Sequence, residues 1–455
     1  MLRELVDIVG GPHVVTDADT VASQFVDWTG RFSGRPTAVI RPGSTEEVEA
    51  TIATCRNMGV AIVPQGGNTG MVGGSIPLHG ELVLDLRRLD HIDPVDPVAR
   101  QVTAGAGATV AAVQAAADAA GLRYAVDFGA RDTATVGGSI ATNAGGVNVL
   151  RHGGTREQVV GVEAVLGTGH RISRLSGLVK DNTGYHFPSL LCGSEGTLGV
   201  VTAARLRLVT RHEHRVTALV GFDSVSSAVA AVSQWRSTID SLEAAELVLA
   251  AGVDLVCRTF DVPAPLSRAH PAVVLIEAAA HDDPTAQLAA AVEGVAGVGD
   301  VAVATDEVRR RALWRYREEH TLAISTIGVP HKFDVTLPIG ALAEFVERMP
   351  AEIERVVPGA TTYQFGHVGD GNVHVNVVGV DQHQGPVSDA LDRTVYGAVQ
   401  QMGGSISAEH GIGTAKAKWL HLNRSSDEIA AMRAIKHALD PDCLLNPHVL
   451  LGPEH

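Results

Sequence analysis

The chain has 455 residues, more than one ordinary core accommodates, so two or three domains are expected. Hydrophobic residues make up 45% and charged residues 19%, an ordinary globular mixture that argues against disorder away from the ends. The 36 basic and 51 acidic side chains leave a net charge of -15 with no dense Lys/Arg run, which removes the electrostatic footprint of a nucleic-acid or anionic-membrane partner.

The N-terminus, MLRELVDIVGGPHVV, shows no basic segment followed by an apolar one, so no secretory signal is expected. No apolar run approaches the roughly 18 residues that suggest a membrane span. Cys55, Cys192, Cys257 and Cys443 are far apart and form no CxxC pair. Reduced, mostly buried thiols in a cytoplasmic protein are the expectation.

Residues 36–98 read as a small α/β unit. A strand at Thr37–Arg41 precedes a helix that Ser44 or Thr45 can cap, with Glu46 and Glu47 in its positive first turn and Gly59 as its stop. Ala61–Pro64 and Leu82–Leu86 are further strands. Residues 99–210 read as a second unit, with a strand near Val102, an alanine-rich helix over Ala108–Ala120, and strands at Gly161–Leu166, Arg171–Ser173 and Val200–Val209. Beyond 211 the pattern changes. Strands at 215–222 and 272–278 flank helices at 224–236 and 285–295, one long helix covers 306–326, and a strand covers 329–337. This spacing suggests an antiparallel sheet with helices on one side. A final helix and a Pro-bounded tail occupy 426–450. The expected domains are 1–210, 211–425 and a C-terminal segment 426–455 returning to the first.

Two glycine-rich stretches can hold a dinucleotide. Pro64-Gln65-Gly66-Gly67-Asn68-Thr69-Gly70, with Gly73 and Gly74 after it, directly follows a strand. Gly137-Gly138-Ser139-Ile140-Ala141-Thr142-Asn143-Ala144-Gly145-Gly146 repeats its chemistry. Backbone N–H groups reach an anion where no side chain intervenes, and Asn and Thr add hydrogen bonds. Either stretch alone is equally well a set of tight turns; together they favour a dinucleotide. Gly105-Ala106-Gly107 imitates the start of a nicotinamide-binding fingerprint, but Val110 stands where a small residue is required. It reads as a helix start.

These loops resemble those of the FAD-linked oxidases of the vanillyl-alcohol oxidase fold. Lys180–Tyr185 and Gly193–Gly199 extend the likeness through the flavin domain. Gly366–Asn376, Gly404–Gly413 and Leu445-Asn446-Pro447 are similar to the branch that contains D-2-hydroxyglutarate dehydrogenase, D-lactate dehydrogenase and the glycolate oxidase flavoprotein subunit. The resemblance implies an α+β fold: a two-subdomain FAD-binding domain and a cap domain whose antiparallel sheet is covered by helices. It implies noncovalent FAD held by Pro64, Gly66, Gly67, Asn68, Thr69, Gly70, Gly73, Gly137, Gly138, Ala141, Thr142, Asn143, Gly145, Glu195, Gly199, Val201 and Asn446.

The segment Phe365-Gly366-His367-Val368-Gly369-Asp370-Gly371-Asn372-Val373-His374-Val375-Asn376 carries a turn signal at Asp370-Gly371. Folding there sets His367 opposite His374, with Cβ atoms roughly 5 Å apart, and points Asn376 the same way. Two such imidazoles can share a metal ion, or be surface histidines stacked on a hairpin. In the resemblance Glu409 completes the metal site. Zinc comes first, although spacing alone does not choose it over manganese or iron. The resemblance makes His410 the base that accepts the hydroxyl proton of a 2-hydroxy acid; a third metal ligand or an orienting role is the alternative. Arg317 and Thr321 share a helix face, and with Lys332 they match the branch's carboxylate-binding set, Asn376 joining them at the substrate. Solvent exposure is the competing reading for Arg317, and a polar strand face for Lys332. An electron-transfer flavoprotein or a quinone is implied as electron acceptor. The pattern does not fix the oligomeric state, and a homodimer is compatible with it. A metallohydrolase built on His367, His374 and Glu409 is a rival reading, as is a noncatalytic flavin-binding electron carrier.

Overall fold

The computed structural model describes residues 1–17, 22, 24–380 and 385–452. The chain forms two compact units: Met1–Gly146 with His152–Arg211 and Glu409–His455, and Val147–Arg151 with His212–Ala408. The return to the first unit thus begins at Glu409, ahead of the point near Ser426 that the sequence suggested. Local bonding explains the switch. The Ala408 N–H still donates to Asp334 Oδ2 at 3.2 Å within the second unit, whereas Glu409 Oε1 accepts the Gly146 N–H at 2.8 Å within the first. The last three residues of the expected C-terminal segment lie outside the described residues.

The first unit holds two four-stranded sheets. Strands β1 (Val14–Val15), β2 (Val39–Ile40), β3 (Ile62–Gln65) and β4 (Leu82–Asp85) form one in the order β1-β2-β4-β3, with β2, β4 and β3 parallel. The helix Thr45–Met58 covers it because its ends are specified. Ser44 accepts the Glu47 N–H at 3.2 Å, and Gly59 closes the other end at φ 63°. Its apolar face buries Val48, Ile52 and Cys55 against Ile40, Ile62 and Leu84. Each such aliphatic side chain contributes roughly 1.5–3 kcal/mol by burial.

The second sheet joins β5 (Gln101–Gly105), β7 (Val159–Leu166), β8 (Arg171–Arg174) and β9 (Gly199–Arg207) in the antiparallel order β5-β9-β7-β8. A two-stranded piece pairs β6 (Leu122–Arg123) with β10 (Val209–Thr210). The helix Val110–Ala119 is capped by Thr109, and Gly105 and Gly107 before it are packing glycines. A Cβ at Gly105 would meet Leu89 O at 2.1 Å, and one at Gly107 would meet Leu86 O at 2.3 Å.

The second unit is built on one seven-stranded antiparallel sheet. Its strands are β11 (His214–Phe222), β12 (Leu242–Leu249), β13 (Ala272–Ala280), β14 (Val298–Ala304), β15 (His331–Thr336), β16 (Thr361–Gly366) and β17 (Asn372–Val378), ordered β14-β11-β13-β12-β16-β17-β15. Helices lie on both faces, where the sequence reading had one. On one side Trp235 of the helix Val225–Thr238 packs on Phe222. On the other, helices Ala250–Phe260, Glu307–Glu318 and His320–Ile327 enclose a core with Leu275, Tyr316, Tyr363 and Phe365. The reason is visible in β12 and β13, which are buried at every position but the last; strands of that kind need cover on both sides. The single helix expected over 306–326 breaks at Glu319 into two.

Candidate active site

In the first unit the glycine loops meet each other. A Cβ at Gly66 would fall 2.2 Å from Thr135 Oγ1, and one at Gly67 would fall 2.0 Å from Thr133 O, so only glycine permits the loop after β3 to lie on Thr133–Thr135. Thr135 in turn caps the short helix Val136–Thr142 by accepting the Gly138 N–H. Gly137, Gly138, Ala141 and Thr142 lie in that helix, and Asn143 ends it in the left-handed region at φ 52°. Asn68 also has φ 52°; its Nδ2 donates to Val26 O at 2.9 Å and its Oδ1 accepts from Ser75 Oγ at 2.9 Å, which fixes the loop carrying Thr69, Gly70 and Gly73.

Glu195 ties these parts to the returning chain. Its N–H donates to Ala141 O, and its carboxylate accepts the N–H groups of Ile412 at 2.8 Å and Gly413 at 2.6 Å. Burial pushes the Glu195 carboxyl up, against the two N–H groups that hold it down. Asn446 Nδ2 donates to Gly74 O at 3.1 Å and Glu195 O at 2.7 Å. Its Oδ1 is buried and has no hydrogen-bond partner among the described residues. Such an atom costs about 1–3 kcal/mol, and a flavin ring edge, which carries both donors and acceptors, would satisfy it. Gly199 and Val201 are buried in β9. The residues Pro64–Gly74, Thr135–Asn143, Glu195, Glu409–Gly413 and Asn446 are therefore connected by direct hydrogen bonds or close contacts.

In the second unit the two histidines come together, though not through the expected register. The strands pair Phe365 with His374 and Tyr363 with Asn376, and residues 367–371 form the connection. Asp370-Gly371 is thus part of a five-residue loop and not a two-residue turn, because Asp370 N and Asn372 N both donate back to His367 O. The rings of His367 and His374 still lie 5.6 Å apart, close to perpendicular.

Each ring has its Nδ1 against a carboxylate. His367 Nδ1 is 2.6 Å from Glu246 Oε1, and His374 Nδ1 is 3.5 Å from Asp334 Oδ1. A proton on Nδ1 facing an acid leaves the lone pair on Nε2, the arrangement that orients metal-ligating histidines. Asp334 is itself held by Asn372 Nδ2 at 2.8 Å and by the Ala408 N–H. Burial raises the Glu246 carboxyl, but His367 and Arg317 outweigh it, so the group lies below its ordinary value.

Arg317 is mostly buried. Its Nε donates to Glu246 Oε2 at 2.7 Å, and its guanidinium lies 4.7 Å above the Phe365 ring. The solvent-facing reading is corrected by these contacts. Thr321 is half-buried in the helix after Glu319. Lys332 pairs across the sheet with Asn376, and burial pulls its ammonium down to about 8. Asn376 Nδ2 is buried without an acceptor among the described residues. Sheet alternation puts Glu246, Phe365, His374, Asn376, Asp334 and Lys332 on one face. Glu409 and His410 follow Ala408 directly and are half-buried in the first unit.

Sequence reading missed Glu246 and Asn372, and Asp334 fell within the polar strand face that competed for Lys332. Two carboxylates, Glu243 and Glu246, interrupt the otherwise apolar run Leu242–Leu249, and that is the signal for Glu246, since a buried charge needs a partner.

The pattern of the FAD-linked oxidase C-terminal domain matches residues 211–450, and that of an FAD-binding domain matches residues 36–173. The chain belongs to the FAD-linked oxidases. A D-2-hydroxyglutarate dehydrogenase of Xanthomonas citri pv. viticola is 39% identical over 431 residues, covering 92% of this chain and 90% of that one. The mitochondrial D-2-hydroxyglutarate dehydrogenase of Danio rerio is 33% identical over 445 residues, covering 96% and 83%. A putative mitochondrial D-lactate dehydrogenase of Schizosaccharomyces pombe is 32% identical over 458 residues, covering 97% and 86%. Among solved structures, p-cresol methylhydroxylase superposes with a TM-score of 0.77 at 16% identity, over 99% of this chain and 96% of that one. The 4-ethylphenol oxidase of Gulosibacter chungangensis gives 0.75 at 17%, over 100% and 97%. These likenesses establish the vanillyl-alcohol oxidase fold. As a member of this family, the protein is an FAD-dependent oxidoreductase, and the connected glycine loops with Asn446 fit that cofactor. Among the described residues, no helix is long and apolar enough to cross a membrane.

Proposed function

We propose that this FAD-linked oxidase oxidises a D-2-hydroxy acid to the 2-oxo acid, with D-2-hydroxyglutarate the foremost substrate and D-lactate or glycolate behind it. The proposal includes a divalent cation held by His367, His374 and Glu409. The observation that carries it is the pair of imidazoles 5.6 Å apart whose Nδ1 atoms both face buried carboxylates. The relatives named for D-2-hydroxyglutarate support the substrate order.

When bound, FAD supplies a hydride acceptor, and the cation, zinc first by its donor set, supplies Lewis acidity for the ionising hydroxyl. His410 accepts the hydroxyl proton at a ring nitrogen, as a neutral imidazole can near pH 7. Arg317, oriented by Glu246 at Nε, presents the rest of its guanidinium to a substrate carboxylate, and Lys332 and Thr321 extend that recognition. Asn376 Nδ2 supplies a further donor. An electron-transfer flavoprotein or a quinone takes the electrons in this reading. A hydrolase built on the same His–His–Glu set would leave the flavin domain without a role.

The test is anaerobic bleaching of the bound flavin with a panel of D-2-hydroxy acids. D-2-hydroxyglutarate bleaches fastest, chelation slows bleaching and zinc restores it. His410→Asn retains the flavin but bleaches on the order of 10²–10⁴-fold more slowly. Normal bleaching in that variant, or indifference to chelation, sinks the proton-acceptor and metal assignments respectively.

A further inference from the structure

A further cluster of ligand-type side chains lies in the first unit, where the chain enters β4 and its tail returns. His79, Glu81 and His448 each bring one ligand atom to within 4.8 Å of the others. His79 and Glu81 flank Gly80 in the turn that leads into β4, and His448 stands two residues after Asn446 in the returning tail. The two imidazole centroids are 4.0 Å apart.

Glu81 makes the cluster unusual. Its residue is only 6% exposed, yet among the described residues no Lys or Arg pairs with it. One oxygen accepts the His79 backbone N–H at 2.8 Å. The other lies 4.0 Å from His448 Nε2, beyond hydrogen-bonding distance. A carboxylate withdrawn from water needs compensating charge, and a single amide N–H supplies little of it.

We propose that His79, Glu81 and His448 form a second divalent-cation site, of zinc type, that clips the C-terminal tail to the turn before β4. Two imidazoles and one carboxylate are a zinc donor set. Ligands about 2.0–2.2 Å from one zinc ion stand about 3.3–3.6 Å apart in a tetrahedron, so the cluster must close by about 1 Å. His79 is exposed and can supply that movement by a change of rotamer. Three ligands from the protein leave a fourth place for water, and because the ligands come from the turn before β4 and from the returning tail, the ion would join those two segments. The tail it clips is already paired to β3 through Asn446 N and Ile62 O at 2.9 Å. Occupancy therefore steadies the segment that carries Asn446. This inference does not depend on which hydroxy acid is oxidised.

Chelator-treated full-length protein is titrated with Co²⁺, followed by its visible absorption, and with Zn²⁺, followed by thermal unfolding. His367→Ala serves as the background, because it removes a ligand of the other proposed centre. In that background His79→Ala, and separately His448→Gln, take up one ion fewer per chain and lose the Zn²⁺-dependent rise in unfolding temperature. Affinity for the lost ion falls at least 100-fold. On the wild-type background His79→Ala keeps its flavin and its oxidation rate at saturating flavin. Uptake unchanged by both substitutions, or no uptake in His367→Ala protein that keeps His79 and His448, overturns the site. Because His79 is exposed and His448→Gln keeps a polar side chain, at least one folded variant is available to decide between these results.

Discussion

Replacing Lys332 with Met is expected to stabilise the protein while damaging substrate binding. Burial holds the Lys332 ammonium at about 8 against an ordinary 10.5. A proton held that much more weakly corresponds to about 3 kcal/mol of destabilisation at pH 7, taken as a ceiling because the side chain is only partly buried. The sign follows from proton linkage. Between about 8 and 10.5 the unfolded chain binds the proton and the folded chain does not, so wild-type stability rises with pH across that window. The advantage of Lys332→Met is thus full below pH 8 and gone by about pH 10.5. Met has nearly the same length and fills the same space. In a unit of about 200 residues each 1 kcal/mol shifts the midpoint by roughly 2–4 °C, so a rise of several degrees is expected at pH 7. The functional loss runs the other way. Removing a charge-assisted bond worth about 1.5–3 kcal/mol lowers kcat/KM by roughly 10- to 150-fold. In wild type, KM for the hydroxy acid rises as pH passes 8 and the ammonium is lost. Calorimetry at pH 7 and 10, with steady-state kinetics on D-2-hydroxyglutarate and D-lactate, measures both effects. A stability gain equal at the two pH values refutes the buried-charge argument. Unchanged kcat/KM for both acids refutes the carboxylate-binding role.

Glu246→Gln is expected to lower metal affinity about 10- to 100-fold, read by Co²⁺ titration, because His367 loses the carboxylate that fixes its Nδ1 proton. Flavin content stays as in wild type, since Glu246 belongs to the second unit. Asn446→Ala removes the bonds to Gly74 O and Glu195 O and leaves a non-glycine residue at φ 43°, so FAD dissociates on the order of 10-fold more readily in fluorescence titrations, with the metal-to-protein ratio unchanged. Tight flavin binding in that variant would place Asn446 outside the cofactor site.

How much of this was legible in the sequence depended on the range of the interaction concerned. Ser44, Gly59 and Thr109 act on residues three or four positions away, and both helix ends at Ser44 and Gly59 were readable. The glycine loops could be recognised as a pair, but not their contact: that Gly67 exists to let Thr133 O approach is a fact about residues 66 positions apart. The hairpin shows the same limit. Asp370-Gly371 signalled a reversal, yet the register moved by two residues because His367 O gathers two N–H groups and opens the turn into a loop. A two-residue displacement conserves the face of a strand, so His367 and His374 still meet although the pairing differs.

Glu246 marks the boundary of what periodicity can deliver. Its strand, Leu242–Leu249, has no clean alternation, because both of its faces are covered. Nothing local says that one carboxylate in that run will meet both Arg317 and His367. Yet a carboxylate in a strand buried on both faces is informative in itself. Charges retained among eight buried or half-buried strand positions must be compensated by partners brought from elsewhere: Glu243 meets Arg151 at 2.6 Å, and Glu246 meets the Arg317 guanidinium at 2.7 Å and the His367 imidazole at 2.6 Å. One carboxylate thereby orients two residues that sequence reasoning had assigned to different tasks, the substrate clamp and the metal ligand. If both assignments hold, a single loss at position 246 weakens metal and substrate binding together, and no choice of substitution at Arg317 alone reproduces the metal defect.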